Sequence, residues 1–129
     1  MRTLVVDDEL VSRKKMAKIL NHFGPCDSVK NGKAAISVVK TAVEENNQYD
    51  LITLDISMPE ISGTQVLTAI REIEEEHELR TEKKAKILMV TSHSDIETVK
   101  ACAGKCNGYV VKPFNKDLMV EKLTKINLL

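Results

Sequence analysis

The chain has 129 residues, a length that suits one domain with a hydrophobic core of its own. Its 19 basic and 19 acidic side chains cancel, so it lacks the basic surplus typical of nucleic-acid-binding proteins. No window approaches the roughly 20 apolar residues of a membrane-spanning helix, and the N-terminal apolar run is too short for a signal peptide. We therefore expect a single cytoplasmic domain over residues 1–129 that binds neither nucleic acid nor membranes.

Five short apolar runs alternate with segments of helical periodicity. The predicted strands, in chain order, are residues 3–6, 26–29, 51–54, 87–90 and 109–111. The apolar positions of the five predicted helices lie within residues 16–23, 35–42, 66–73, 96–103 and 119–126. Continuous apolar runs are typical of strands covered on both faces. The pattern predicts a flavodoxin-like, doubly wound α/β fold with a five-stranded parallel sheet of order 2-1-3-4-5 and helices on both faces.

Two features outside the strands are expected to be structural. The charged stretch of residues 72–86 is predicted to be a solvated helix end and loop. The cysteines Cys26, Cys102 and Cys106 are odd in number and form no CxxC pair, so small buried hydrophobes are the preferred interpretation. Because Cys102 and Cys106 are four residues apart, a redox or metal role for this pair stays open.

Four of the predicted strands end in residues that carry chemistry. Asp7 and Asp8 follow the first strand, Asp55 the third, Thr91 the fourth and Lys112 the fifth. Each has an ordinary role when taken singly, at a turn or a helix start. The carboxyl ends of parallel strands meet at one edge of an open sheet, so these side chains should converge.

The converging residues predict phosphoryl chemistry at a metal centre. Neighbouring carboxylates disfavour one another's charge unless a cation joins them. Mg²⁺ suits a site with few carboxylates, waters and a phosphoryl group. An aspartate can itself become an aspartyl phosphate, and Lys112 and Thr91 are of the right kinds to surround the transferred oxygens.

At these positions the chain resembles the receiver domains of two-component response regulators over essentially its whole length. The motifs that carry the likeness are LVVDDE at residues 4–9, DISMP at 55–59 with a glycine at 63, VTS at 90–92 and GYVVKPF at 108–114. The resemblance implies a signalling switch of the chemotaxis-regulator kind rather than a conventional enzyme. A stand-alone regulator is favoured over an N-terminal domain cut from a longer one.

The resemblance also implies roles for the residues at the predicted site. Asp55 is then the phosphoacceptor, which takes its phosphoryl group from a sensor histidine kinase or a histidine phosphotransfer protein. Asp8, Asp55 and the backbone carbonyl of Ser57 are implied to bind Mg²⁺, and Asp7 to act through a water. Lys112 is implied to pair first with Asp55 and then with the phosphoryl group.

The output of such a switch is implied to be a changed surface on helix 4, strand 5 and helix 5 that binds a downstream protein target. Thr91 is implied to move toward the phosphoryl group and Tyr109 to turn inward, although Tyr109 also fits an ordinary strand aromatic. The peptide bond between Lys112 and Pro113 is implied to be cis. His93 either orders the water that removes the phosphoryl group or is an ordinary exposed loop residue.

Two other classes of protein remain open at this point. A flavodoxin-type electron carrier shares the fold, but its first loop should be rich in Ser, Thr and Gly rather than acidic. A phosphatase with an aspartyl intermediate typically needs a second aspartate two residues after the nucleophile, where this chain has Ser57.

Overall fold

The computed structural model describes all residues from 1 to 129, and a five-stranded parallel sheet forms its centre. The strands are β1 Thr3–Val6, β2 Cys26–Val29, β3 Leu51–Asp55, β4 Lys86–Thr91 and β5 Gly108–Val111. Their order is β2-β1-β3-β4-β5, and every neighbouring pair is parallel. The predicted fold and strand order are therefore confirmed, with strand ends that differ from the prediction by at most one residue.

Four α-helices connect the strands and a fifth follows β5: α1 Leu10–Leu20, α2 Gly32–Glu44, α3 Gly63–Glu76, α4 Ile96–Ala101 and α5 Lys116–Lys125. Side-chain caps fix three of their starts. Asn31 accepts a hydrogen bond from the Ala34 N–H, and Asn115 one from the Leu118 N–H. Ser62 and Gln65 form a reciprocal capping box at the start of α3.

Helix α4 is shorter than the apolar pattern predicts. It ends at Ala101, and the Cys102 N–H bonds to the Val99 carbonyl three residues earlier, which tightens the chain into a turn. Val99 is the helix's one buried residue, and Ala103 is exposed. The prediction that the apolar face of this helix continues to residue 103 was therefore wrong.

The apolar residues divide into one core on each face of the sheet. Leu4 and Val6 point into the larger core of 19 buried residues, together with α2, α3 and α4. Val5 points into the smaller core of 11 buried residues, together with α1 and α5. Successive residues of a strand face opposite sides, so both faces need apolar residues and the strands read as continuous apolar runs. Each fully buried aliphatic side chain contributes roughly 1.5–3 kcal/mol.

The charged stretch after α3 contains a buried acid. Glu74 is 2% exposed, and its carboxylate accepts hydrogen bonds from the Arg71 guanidinium at 2.7 Å and the Ala85 N–H at 2.8 Å. Arg71 also donates to the Lys105 carbonyl at 2.8 Å and to the Asn107 side chain at 3.2 Å. The prediction of a wholly solvated stretch was wrong at Glu74, because this network joins α3 to Ala85, just before β4, and to the turn before β5.

The three cysteines are free thiols and are partly buried. Burial raises the pKa of Cys26 to about 11 and also raises the pKa of Cys106, which lowers the thiolate fraction of both. Cys102 and Cys106 pack against the larger core. These observations favour the interpretation that the cysteines serve as small, partly buried hydrophobic residues. None of the helices combines the length and apolar character needed to cross a membrane.

Candidate functional site

The register of the sheet brings the predicted site residues to one edge. Val6 pairs with Leu54, and Asp55 pairs with Val90 of the next strand. Thr91 pairs with Val111, the last residue of β5. The residues that follow these positions therefore lie side by side at the carboxyl edge of the sheet, as predicted.

Three carboxylates form a cluster at this edge. Asp7, Asp8 and Asp55 each place one oxygen within 4.8 Å of the other two. Asp7 and Asp55 are buried, whereas Asp8 is exposed and leaves one side of the cluster open. This all-oxygen donor set fits a hard divalent cation such as Mg²⁺, which retains several waters beside one or two carboxylates.

Hydrogen bonds from backbone N–H groups close in sequence hold the two buried carboxylates in place. The Asp7 side chain accepts from the Glu9 N–H at 2.9 Å, and the Asp55 side chain accepts from the Ser57 N–H at 3.3 Å. In both cases the donor lies two residues later, the Asx-turn arrangement that aspartate favours where a strand enters a loop. The Arg13 guanidinium donates to the Asp7 carbonyl at 3.0 Å and so attaches α1 to the same loop.

Lys112 is the one basic side chain that pairs with the cluster. Its Nζ atom lies 3.5 Å from Asp7 Oδ2 and 3.7 Å from Asp55 Oδ2. The Lys112–Pro113 peptide bond is cis, as the resemblance implies. One lysine offsets only one of the three negative charges, so the cluster keeps a strong demand for a cation or a proton.

The charge of Asp55 is disfavoured at this position. Burial raises the pKa of Asp55 to about 7; the Asp7 carboxylate adds to that rise, while Lys112 and the Ser57 N–H oppose it. A residue that is 6% exposed and lies beside two other carboxylates gains most from a bound divalent cation.

The cluster borders an open cavity of about 380 Å³ that no hydrophobic residue lines. The cavity is lined by Asp8, Glu9, Asp55, Ser57, Ser92, Asp95 and Lys112. Space of this polarity beside a buried carboxylate suits a phosphoryl group and water rather than an apolar ligand.

Gly63 sets how closely α3 passes the site. A Cβ atom at this position would lie 2.2 Å from the Asp55 carbonyl oxygen and 2.8 Å from the Ile56 Cα. The Gly63 N–H donates to the Ile56 carbonyl at 2.9 Å. Because both clashes are with backbone atoms, only glycine fits without moving the segment that carries Asp55.

Thr91 and Tyr109 do not line the cavity. The Thr91 hydroxyl donates to the Ser92 carbonyl at 2.9 Å, and the Thr91 side chain is buried. Tyr109 is partly buried against the larger core, and the Lys122 ammonium lies 5.2 Å from the centre of its ring. His93 is exposed and also absent from the cavity wall.

Asp95 belongs to the cavity wall, and sequence reasoning missed it. Its carboxylate accepts hydrogen bonds from the hydroxyls of Ser57 at 3.0 Å and Ser92 at 3.2 Å. Asp95 lies four residues beyond the end of β4, in the polar run TSHSD of residues 91–95. That polarity was the only available signal, and it does not distinguish this acid from an ordinary loop residue.

The response regulator receiver domain family matches residues 3–124 of this chain. The chain therefore belongs to the response regulator receiver domain family. Receiver domains are signalling switches rather than conventional enzymes; they are phosphorylated on an aspartate with Mg²⁺ and interact with kinases and partner proteins. The family assignment decides between the three predicted classes in favour of the receiver.

Two relatives show how such domains occur. The chain is 31% identical over 127 residues to chemotaxis protein CheY of Bacillus subtilis, covering 96% of this chain and 95% of that protein. It is 30% identical over 132 residues to hybrid signal transduction histidine kinase B of Dictyostelium discoideum, covering 96% of this chain but 6% of that kinase. Similar domains thus form nearly all of one protein and a small part of another.

A solved structure with the same fold is the receiver domain of the histidine kinase CKI1 from Arabidopsis thaliana, complexed with Mg²⁺ and BeF₃⁻. It is 26% identical and has a TM-score of 0.74. The match covers 95% of this chain and 89% of that chain.

Proposed function

We propose that residues 1–129 form one receiver domain in which Asp55 accepts a phosphoryl group. One observation carries this assignment. Asp55 is buried, lies within reach of the Asp7 and Asp8 oxygens and 3.7 Å from the Lys112 ammonium, and still borders an open polar cavity. Among the clustered acids it alone combines burial, a lysine partner and a place on the cavity wall.

The phosphoryl donor is a phosphohistidine on a sensor histidine kinase or a histidine phosphotransfer protein. An Asp55 carboxylate oxygen attacks phosphorus, and the O–P bond forms as the P–N bond breaks. The imidazole leaves with the electron pair of that bond and takes up a proton. Catalysis of such a transfer rests on positioning and on charge stabilisation around the transferred oxygens.

The residues that would hold Mg²⁺ are Asp8, Asp55 and the backbone carbonyl of Ser57, and Asp7 would act through a water. When bound, the ion neutralises charge on the acids and on the transferred oxygens. The Mg²⁺ and BeF₃⁻ named for the CKI1 receiver domain support this assignment. Lys112 already faces Asp55 and supplies a charged hydrogen bond to the phosphoryl group.

Thr91 and Tyr109 transmit the phosphorylation of Asp55 to the protein surface. The Thr91 hydroxyl exchanges the Ser92 carbonyl for a phosphoryl oxygen, and Tyr109 turns into the space that Thr91 leaves. A downstream protein target binds the surface formed by α4, β5 and α5. We place the protein in the cytoplasm as a stand-alone regulator, because kinases use intracellular ATP and B. subtilis CheY is matched over 95% of its own length.

The test is incubation with acetyl phosphate and Mg²⁺, followed by intact-mass spectrometry. We expect wild type and the control Asp117→Asn, an exposed acid in the first turn of α5, to gain one phosphoryl group each. Asp55→Asn should gain none, and chelation of Mg²⁺ should abolish labelling of the wild type. Unchanged labelling of Asp55→Asn would place the acceptor elsewhere.

A further inference from the structure

Asp95 connects the loop after Asp55 to the start of α4. Its Oδ2 atom accepts one hydrogen bond from Ser57, which follows β3, and one from Ser92, which follows β4. Ser57 in turn donates its backbone N–H to the Asp55 carboxylate. Since α4 begins at Ile96, the Asp95 carboxylate couples the loop after Asp55, called the acceptor loop below, to the first turn of this helix.

The charge of Asp95 faces the cavity that receives the phosphoryl group. Asp95 and Asp55 line the same cavity, and its one lysine, Lys112, pairs with Asp7 and Asp55 rather than with Asp95. Phosphorylation replaces the single negative charge of Asp55 by about two. Like charges across a polar cavity disfavour one another. Asp95 ends a short 3-10 helix, His93–Asp95, in which its N–H donates to the Ser92 carbonyl and the exposed Ser92 and Ser94 hydroxyls bond to each other. Release of Asp95 from Ser57 would let the two charges move apart.

We propose that Asp95 is a positioning residue that latches the unphosphorylated state. The bond from Ser57 to Asp95 holds the start of α4 against the acceptor loop, and the phosphoryl group on Asp55 opens it. By linkage, the closed latch disfavours the phosphorylated state by the same free energy with which phosphorylation disfavours the closed latch. The latch rests on the proposed role of Asp55.

The first test measures binding of beryllofluoride to the Mg²⁺-saturated protein by calorimetry, because this equilibrium adds only the anion and so carries the coupling directly. Asp95→Asn removes the charge but keeps an oxygen that accepts the serine hydroxyls. We expect it to bind about fivefold more tightly than wild type, the lower end of usual coupling strengths. The control Glu97→Gln removes an equal charge from α4 outside the cavity and should bind like wild type.

The second test measures amide hydrogen exchange over residues 92–96. In wild type, beryllofluoride with Mg²⁺ should speed exchange there, and Ser57→Ala should do so without ligand because it removes one latch bond. The latch is overturned if Asp95→Asn binds no more tightly than Glu97→Gln, or if neither perturbation speeds exchange. If the wild type binds no beryllofluoride, both the role of Asp55 and the latch are overturned. If the wild type binds it and Asp95→Asn binds it with the same affinity, the latch alone is overturned.

Discussion

The surroundings of Asp55 disfavour the negative charge that this carboxyl needs as a nucleophile. The carboxyl is buried beside Asp7, and a single lysine offsets part of the resulting cost. A group held in this way is only partly ionised near neutral pH, because burial raises its pKa to about 7. A bound cation therefore both completes the site and makes the nucleophile available.

This electrostatic cost predicts how stability depends on pH in the metal-free protein. The folded-state pKa of Asp55 lies above its unfolded value, so the folded protein binds more protons between about pH 4 and 7. The contribution of Asp55 to stability is then present at low pH and is lost as the pH rises through about 7. Asp55→Asn avoids this loss and should be more stable than wild type at pH 8 by roughly 2–4 kcal/mol.

Urea unfolding with a chelator at several pH values measures the difference between the two proteins. The advantage of Asp55→Asn should shrink steadily toward pH 4 and should also shrink at pH 8 when Mg²⁺ is added. An advantage that does not change with pH would show that Asp55 titrates normally.

At the scale of elements, the close approach of α3 to β3 positions the acceptor. The contact depends on Gly63, whose missing side chain lets the helix start pass over the Asp55–Ile56 peptide. Gly104 is a natural comparison, since a Cβ atom there would meet nothing within 4 Å.

Gly63→Ala should therefore damage both folding and the site. Overpacking against backbone costs roughly 1–3 kcal/mol, and the shift of Asp55 that relieves it should weaken Mg²⁺ binding. Gly104→Ala should change stability by no more than about 0.5 kcal/mol and leave Mg²⁺ binding unaltered. Urea unfolding and calorimetric Mg²⁺ titration check both effects; equal behaviour of the two variants would contradict this account of Gly63.

The elements also show why sequence patterns succeed in one place and fail in another. The strands were predictable because a strand buried on both faces must be apolar throughout, a demand that lies within the strand itself. The burial of Glu74 was not predictable, because it depends on Arg71 and on the N–H of Ala85, eleven residues away. The end of α4 was missed because apolar spacing continues past the residue at which the helix tightens into a turn.

For the whole molecule, the topology accounts for the predictable part of the site. Once the strand order places β1, β3, β4 and β5 side by side, the residues after them must meet at one edge. The sequence therefore predicted that Asp7, Asp8, Asp55, Thr91 and Lys112 converge. The four charged side chains do, whereas Thr91 does not line the cavity. It did not predict Asp95, since the position of a loop acid depends on how the chain folds back over the cavity.

The most direct measurement of the central claim locates the phosphoryl group chemically. After labelling with acetyl phosphate and Mg²⁺, borohydride reduces an aspartyl phosphate to homoserine, which marks the modified residue in a peptide map. We predict homoserine at position 55 alone, and none when Mg²⁺ is chelated. Homoserine at Asp8 or Asp95, or labelling of Asp55 that does not require a divalent ion, would contradict the account.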